Sequence, residues 1–133
     1  MKRIVALVDH SVYASSVADH AAWLAENDGD TVDVVHIVNP FDLAATRAAG
    51  MAGLAVGGPG LVGSIAWQSD ERMEELTVAG QELVDRLTAR VASRGGLALG
   101  RVLVGELPEV LKTLDNEADI IVVGKRGENA DFV

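Results

Sequence analysis

The sequence predicts an α/β fold: a doubly wound, mostly parallel sheet with helices on both faces, in three α/β/α layers. Short runs rich in valine and isoleucine alternate along the chain with segments of helical periodicity, and this alternation is typical of parallel sheets. The runs lack the polar alternation of half-exposed strands, which indicates burial on both faces. With 133 residues, the chain has the size of one domain, and we expect a single domain over residues 1–133.

The first strand, first helix and second strand are predicted from the amino-terminal part. The run "KRIVALV" has strand length and ends at Asp9. Ser11 can cap the helix that follows, and Gly29 comes after the end of that helix. The second strand, "TVDVVHIV", stops before Asn39 and Pro40. The apolar positions that recur at helical spacing are Tyr13, Val17, Ala21 and Leu24.

Residues 41–69 show no clear regular element and are predicted to form a flexible, glycine-rich loop. The stretch from Ala48 to Ser69 carries no charge and is long enough to span a bilayer as a helix. Its six glycines and one proline weaken a helix, so we favour an apolar flap or a loop that packs on a partner. The segment "GPGLVGS" lacks the lysine and the preceding strand of a P-loop.

The carboxyl-terminal half predicts a long helix, a strand, a short helix and a fourth strand. From Asp70 to about Arg94, apolar residues repeat at steps of three and four, and "RGG" ends the helix. The third strand is "LALGRVLVG", Pro108 occupies a favoured first-turn position of the short helix, and "DIIVVG" is the fourth strand. The predicted buried face of the long helix comprises Met73, Leu76, Gly80, Leu83, Leu87 and Val91.

Composition and charge exclude several functions. The net charge of -9 and the pI near 4.6 disfavour nucleic acid as a partner, because its phosphates must be neutralised by clustered cations. The absence of cysteine excludes disulfides and thiolate metal sites, and the first apolar run is too short for a signal peptide. We therefore expect a cytoplasmic protein with no membrane segment. His10, His20 and His36 lack metal-ligand spacing, and His36 is expected to be a core residue with a hydrogen-bond partner.

The candidate site lies where the strands end. In an open parallel sheet, ligands bind outside the carboxyl ends of the strands, near the point at which the strand order reverses. A carboxylate there can hydrogen-bond ribose hydroxyls or hold a metal, and glycines let backbone N–H groups approach phosphates. A turn or capping role is the alternative for Asp9, and a simple turn of the chain is the alternative for Gly124 and Gly127. The residues that fall at this edge are Asp9, Ile37, Val38, Gly105 and Gly124.

Val38 and three further residues are accessory candidates. His10 directly follows the carboxylate after the first strand, so it could contact a ligand. Lys125 and Arg126 stand between two glycines after the fourth strand, where they could offset phosphate charge. A merely solvated pair of cations is the alternative interpretation of those two residues.

At these residues the sequence resembles the universal stress proteins, a Rossmann-like branch of the adenine-nucleotide α-hydrolase-like folds. "RIVALVDHS" looks like the family's opening strand and acidic turn, "VVHIV" like its second strand, and "LVGELPEVL" like its Gly-x-Pro entry to a helix. "ADIIVVGKRG" matches the start of the family's G-x-x-G signature, whose closing glycine and hydroxyl residue would lie beyond Val133. We therefore expect a carboxyl-terminally incomplete domain, without the last helix and strand. The fourth strand would then have an unpaired side that favours strand addition.

The resemblance implies that the chain binds an adenine nucleotide, ATP with Mg²⁺. It places Asp9 at the ribose or adenine and the backbone near Ile37 at the adenine edge. Ribose and phosphates would be lined by Gly105, Gly124 and Gly127. The resemblance further implies a regulatory protein of the stress response that acts through a homodimer, another homo-oligomer or a protein partner. Members that have lost ATP binding occur in the same family, so both possibilities stay open.

Two other classes of function compete with this interpretation. A phospho-acceptor receiver domain shares the doubly wound fold, but here the first strand offers only Asp9, and the third ends at Gly105 and Glu106. A nucleotide-dependent transferase would need an early phosphate loop, and "VDHSVYAS" contains no glycine. Because no nucleophile has an evident base, we expect no enzyme activity beyond slow hydrolysis of bound ATP.

Overall fold

Four parallel strands and three helices alternate in the computed structural model, which describes residues 1–39 and 59–124, with residues 59–70 described by their backbone alone. This order confirms the predicted doubly wound α/β class. The elements are β1 (Arg3–Val8), α1 (Ala14–Leu24), β2 (Thr31–Val38), α2 (Pro59–Ala92), β3 (Leu97–Val104), α3 (Leu107–Glu117) and β4 (Ile120–Val123).

The sheet has the strand order β3-β2-β1-β4. β1 pairs with β2 along its whole length, from Arg3 opposite Thr31 to Val8 opposite His36, and with β4 on its other side. The chain therefore runs outward from β1 through β2 to β3, and then returns to the far side of β1. The strand order reverses between β1 and β4, which is where doubly wound sheets bind their ligands.

The two faces of the sheet are covered by different helices. Ile4 and Ala6 point from β1 to the face that α1 and α2 cover, whereas Val5 points to the face that α3 covers. Leu87 and Val91 of α2 are fully buried on the first of these faces, as the apolar periodicity predicts. Burial on both sides explains why β1 and β2 are apolar without alternation.

The face covered by α3 has much the smaller core. Leu114 is the only buried residue in α3, and it packs with Val5 of β1 and Val35 of β2. Toward β3 the described part of the chain leaves the same face open, because Leu99 is 70% exposed. Within the described ranges, a single short helix thus covers only the middle of this face.

α2 begins earlier than the sequence predicts. Its backbone is helical from Pro59, whereas the apolar periodicity indicated a start at Asp70. Proline is favoured at the first helical position, and the glycines that lower helix propensity in this segment do not prevent it from extending a long helix. The predicted loop is therefore wrong from residue 59 onward, and its residues 41–58 lie outside the described residues. No helix in the described ranges is both long and apolar enough to cross a bilayer.

α1 begins without the side-chain cap that the sequence suggests. Its capping position is Tyr13, whose side chain makes no capping hydrogen bond, so the prediction that Ser11 caps the helix is wrong. Ser11 instead orders the preceding turn. Its hydroxyl accepts the N–H of Tyr13 and its carbonyl accepts the N–H of Ala14, both at 3.3 Å.

Candidate functional site

The carboxyl ends of the four strands meet at one edge of the sheet. Asp9 follows β1 and Gly124 follows β4, and these strands are neighbours in the sheet. Ile37 and Val38 end β2, one strand spacing of about 4.8 Å from β1. Gly105 follows β3 and lies two spacings away, about 10 Å from β1. The structure therefore brings Asp9 and Gly124 together at the point of reversal and leaves Gly105 apart from them.

The Asp9 carboxylate is oriented by the turn that follows β1. Its Oδ1 accepts the backbone N–H of Ser11 at 2.9 Å, which is an Asx-type turn. Asp9 therefore does have the turn role that was the alternative to ligand binding. The same hydrogen bond also fixes a carboxylate at the end of the central strand, where a ligand in the crevice would meet it.

Gly105 has a structural reason to be glycine. Its N–H donates to the Val38 carbonyl at 3.0 Å, which ties the end of β3 to the end of β2. A Cβ at Gly105 would stand 3.0 Å from Cγ2 of Val110 in α3, so a side chain would crowd the helix. The side chain of Ile37 packs on the core beneath α3, which leaves only its backbone for the crevice.

Three of the predicted site residues lie outside the described residues. These are Gly127, the third glycine of the expected phosphate site, and the cations Lys125 and Arg126 that precede it.

Two histidines stand side by side at the ends of β1 and β2. His36 is buried, and its Nδ1 lies 2.9 Å from the carbonyl oxygen of Val8. Because a carbonyl oxygen can only accept, this nitrogen carries the proton. That geometry confirms the predicted core role with a hydrogen-bond partner. The ring of the exposed His10 meets the ring of His36 edge-on, with centroids 5.0 Å apart and an interplanar angle of 74°.

Sequence reasoning missed a groove between α1 and β4 that opens beside the crevice. Its volume is about 320 Å³, and Tyr13 and Gly124 at one end of it belong to the carboxyl edge of the sheet. The sequence did indicate this groove, because Ser16, His20 and Trp23 recur at helical spacing and form a stripe on α1 next to its buried face. The lining comprises Tyr13, Ser16, Val17, His20, Trp23, Leu24, Val122, Val123 and Gly124.

A serine and a histidine in this groove resemble a catalytic pair without being one. Nδ1 of His20 lies 2.7 Å from the Ser16 carbonyl oxygen and 3.4 Å from the Ser16 hydroxyl. A ring nitrogen that donates its proton to the carbonyl cannot accept a proton from the hydroxyl. The pair therefore lacks the base that would activate a serine nucleophile.

An ionic cluster around the buried Asp33, on the α3 face, is structural. Asp33 is buried within β2, and its carboxylate contacts Arg101 of β3 at 2.9 Å and Arg3 of β1 at 3.3 Å. Glu117 at the end of α3 contacts both arginines, at 3.2 and 3.6 Å. The two carboxylates and the two guanidinium groups neutralise each other's charge. Their contacts within the cluster join β1, β2, β3 and α3. The lone aspartate within the apolar run "TVDVVHIV" was its signal in the sequence.

Carboxylates at the opposite, amino-terminal edge of the sheet also serve the fold. Asp30 is buried and accepts the backbone N–H groups of Lys2 at 2.7 Å and Asn27 at 3.2 Å. The hydrogen bond from Lys2 holds the pKa of Asp30 below its ordinary value, and the bond from Asn27 adds to the effect. Asp119 accepts the N–H of Arg3 at 2.8 Å. Asp9 is the acid that the structure positions directly after the central strand.

The strand order excludes the receiver-domain alternative. In flavodoxin-like and receiver folds, with strand order 2-1-3-4-5, the third strand is next to the first. Here β3 pairs with β2 and β1 lies between β2 and β4. Residues after β3, such as Glu106, are therefore separated from Asp9 by the whole of β2 and cannot share a phospho-acceptor site with it.

Comparison with known proteins gives one family. The model of the universal stress protein family matches residues 1–131. Universal stress protein Slr1230 of Synechocystis sp. is 27% identical over 99% of the chain. The chain spans about half of that relative, 47% of its length.

Solved structures share the same architecture. Hypothetical protein MJ0577 matches 99% of the chain with a TM-score of 0.71 at 17% identity, over 81% of its own length. Universal stress protein UspA of Lactobacillus plantarum matches 97% of the chain with a TM-score of 0.68 at 16% identity, over 80% of its length. A universal stress family protein of Burkholderia pseudomallei matches 93% with a TM-score of 0.59 at 22% identity, over 81% of its length.

Proposed function

The chain belongs to the universal stress protein family, and from this premise we propose that it is a stress-response regulator whose crevice binds an adenine nucleotide, ATP with Mg²⁺. The observation that carries the proposal is the meeting of Asp9 and Gly124 at the reversal of strand order. A fixed carboxylate and a glycine on adjacent strand ends supply one acceptor for ribose and one close approach for phosphate.

Each residue of the crevice takes a distinct part of the nucleotide. The Asp9 carboxylate accepts hydrogen bonds from ribose hydroxyls, because Ser11 already orients it. The backbone at Ile37 faces the adenine edge. Gly124, with Gly127 and the cations that precede it in the sequence, serves the phosphates. Mg²⁺ would offset phosphate charge that a protein of net charge -9 repels.

We propose binding without rapid turnover. Chemical catalysis of nucleotide hydrolysis needs a group that positions or activates a water molecule. The Ser16–His20 pair supplies no activated serine nucleophile, since Nδ1 of His20 donates its proton to the Ser16 carbonyl. Bound nucleotide would thus act as a signal, and its hydrolysis would be slow.

Calorimetric titration with ATP and Mg²⁺, with AMP in parallel, tests the proposal. The wild-type chain should bind ATP saturably. Asp9→Asn keeps one acceptor for the Ser11 N–H but removes the second carboxylate oxygen and the charge, so affinity should fall by about tenfold or more. Asp28→Asn, at an exposed position before β2 on the opposite edge, is the matched control and should bind as the wild type. The absence of saturable heat at millimolar ligand would reject the proposal.

We also propose that the protein acts through self-association, with β4 as the contact. Among the described strands, β4 pairs only with β1, so its other edge offers main-chain donors and acceptors to a second copy. Val123 on this strand is 57% exposed. Unpaired strand edges of this kind favour pairing with another chain.

Lysine substitutions on the two edge strands of the described sheet test whether association uses β4 or β3. Val123→Lys places a charge on β4 at an exposed position, and it should convert an associated protein to a monomer in light scattering at micromolar concentration. Leu99→Lys places the same charge on β3, at the other edge, and should leave the mass unchanged. A wild-type mass of one chain, or loss of association only in the β3 variant, would contradict a β4 contact.

A further inference from the structure

We propose that His36 is a positioning residue of the candidate nucleotide site: its ring holds the end of β1, and thereby Asp9, in place against α2. The inference rests on the proposed function, because the turn it positions is the one assigned to the nucleotide. His36 itself lies in the sheet, buried beneath α2, and does not need to touch the ligand.

The hydrogen bond of His36 is directed at the residue that precedes the site. Its Nδ1–H donates to the carbonyl oxygen of Val8 at 2.9 Å, in a buried setting. Val8 is opposite His36 in the β1–β2 register, so this side-chain bond strengthens the last step of that ladder. Asp9 comes next in the chain. The direction of the peptide that leaves Val8 therefore depends on the imidazole.

α2 closes the other side of the ring. A Cβ at Gly80 would stand 2.6 Å from Cδ2 of His36, well inside contact distance. Glycine at this helical position is thus what lets α2 approach the imidazole. The edge-on contact with His10 bounds a further side of the ring. With α2, His10 and the Val8 carbonyl around it, the imidazole has one well-defined place.

If position 36 only had to fill space in the core, an apolar side chain would be sufficient there. A polar ring in the middle of the apolar run "VVHIV" has a desolvation cost unless its polar atoms are bonded. Here the bonded atom faces the carbonyl just before Asp9. The placement links α2 to the Asp9–Ser11 turn, so a shift of α2 would move the carboxylate that meets the nucleotide.

Three substitutions test the role. His36→Asn keeps an N–H donor at the position of Nδ1, His36→Leu keeps apolar volume without the donor, and Gly80→Ala pushes on the ring from α2. Gly96→Ala is the control for an added methyl, since its Cβ would have no neighbour closer than 3.6 Å. The readouts are ATP affinity with Mg²⁺ and the exchange rate of the Ser11 amide proton, which reports its bond to the Asp9 carboxylate.

The two readouts have definite expected results. His36→Leu and Gly80→Ala should weaken ATP binding at least tenfold and speed Ser11 exchange at least tenfold. His36→Asn should stay within about threefold of the wild type in both, and Gly96→Ala should match the wild type. Rescue by asparagine distinguishes positioning from simple core packing, because asparagine fills the core no better than leucine does.

The outcomes that overturn the inference are equally specific. Unchanged Ser11 exchange in His36→Leu would overturn it, as would equal losses in the asparagine and leucine variants. If the wild type bound no ATP, the proposed function would fail, and the Ser11 exchange rates would still decide the positioning role. Faster exchange in the leucine and Gly80→Ala variants alone would then support it.

Discussion

Replacing Leu114 by alanine tests how α3 is held on the sheet. Leu114 is fully buried and packs with Val5 and Val35. The change removes roughly three methylene-sized groups at about 0.8 kcal/mol each, and the cavity that remains adds to the loss. Ile37 and Ile121 beside it are only partly buried, so they can relax into the space. We therefore expect a loss in unfolding free energy of about 3 kcal/mol, near the lower end for such changes.

The matched control lies on the same helix. Leu107 is 46% exposed, so Leu107→Ala makes the same chemical change with about half the burial at stake and no enclosed cavity, and should cost only about 1 kcal/mol. Urea unfolding followed by far-ultraviolet circular dichroism measures both variants against the wild type. Equal losses in the two variants, or a loss below about 1 kcal/mol for Leu114→Ala, would show that this small core does not hold α3.

Three further predictions concern the α2 face of the sheet. Arg90 donates to Asp19 at 2.7 Å, and this hydrogen bond lowers the pKa of Asp19 from its ordinary value of 3.8. The resulting stabilisation is present above pH 3.8 and is lost as the pH falls through the lower pKa of the folded state. Arg90→Gln should therefore make the stability less dependent on acid pH, and an unchanged pH profile of stability would argue against the pair. A Cβ at Gly100 would stand 2.5 Å from Oγ1 of Thr88, so Gly100→Ala should cost about 1–3 kcal/mol in urea unfolding, while Gly96→Ala should cost little. The Thr88 hydroxyl is buried without a hydrogen-bond partner in the described part of the chain, so Thr88→Val should raise the urea midpoint by the equivalent of about 1 kcal/mol, and a lower midpoint would mean that the hydroxyl is bonded.

Elements with a strong local signal could be predicted from the sequence. The apolar runs that became β1 and β2 show burial on both faces, and Gly95, within the "RGG" that ends α2, has a φ of 91°, a conformation that favours glycine. The start of α2 at Pro59 was missed because glycine content argued against a helix. Local propensity is a weak constraint where a segment extends a helix that already exists.

The arrangement of the site depends on contacts that a linear pattern does not contain. The sequence places Asp9, Gly105 and Gly124 after strands, but only the strand order shows that Gly124 adjoins Asp9 and that Gly105 is two strands away. The groove beside them requires α1 and β4 to be placed together. His36 could be identified as a bonded core residue, whereas its partner at Val8 follows from the β1–β2 register.

The position of β1 between its two neighbours also governs how the protein is made. β4 pairs with the side of β1 that faces away from β2. Just before β4, Asp119 accepts a hydrogen bond from the backbone N–H of Arg3, and these two residues are 116 positions apart in the chain. At a synthesis rate of about 5–20 residues per second, β4 is translated about 6 to 23 seconds after β1. During that time the unpaired main-chain groups on this side of β1 are available to foreign strands or to a chaperone. The nascent chain is therefore prone to aggregate before β4 leaves the ribosome, and pairing between strands so far apart in sequence makes slow folding the expected consequence of this topology.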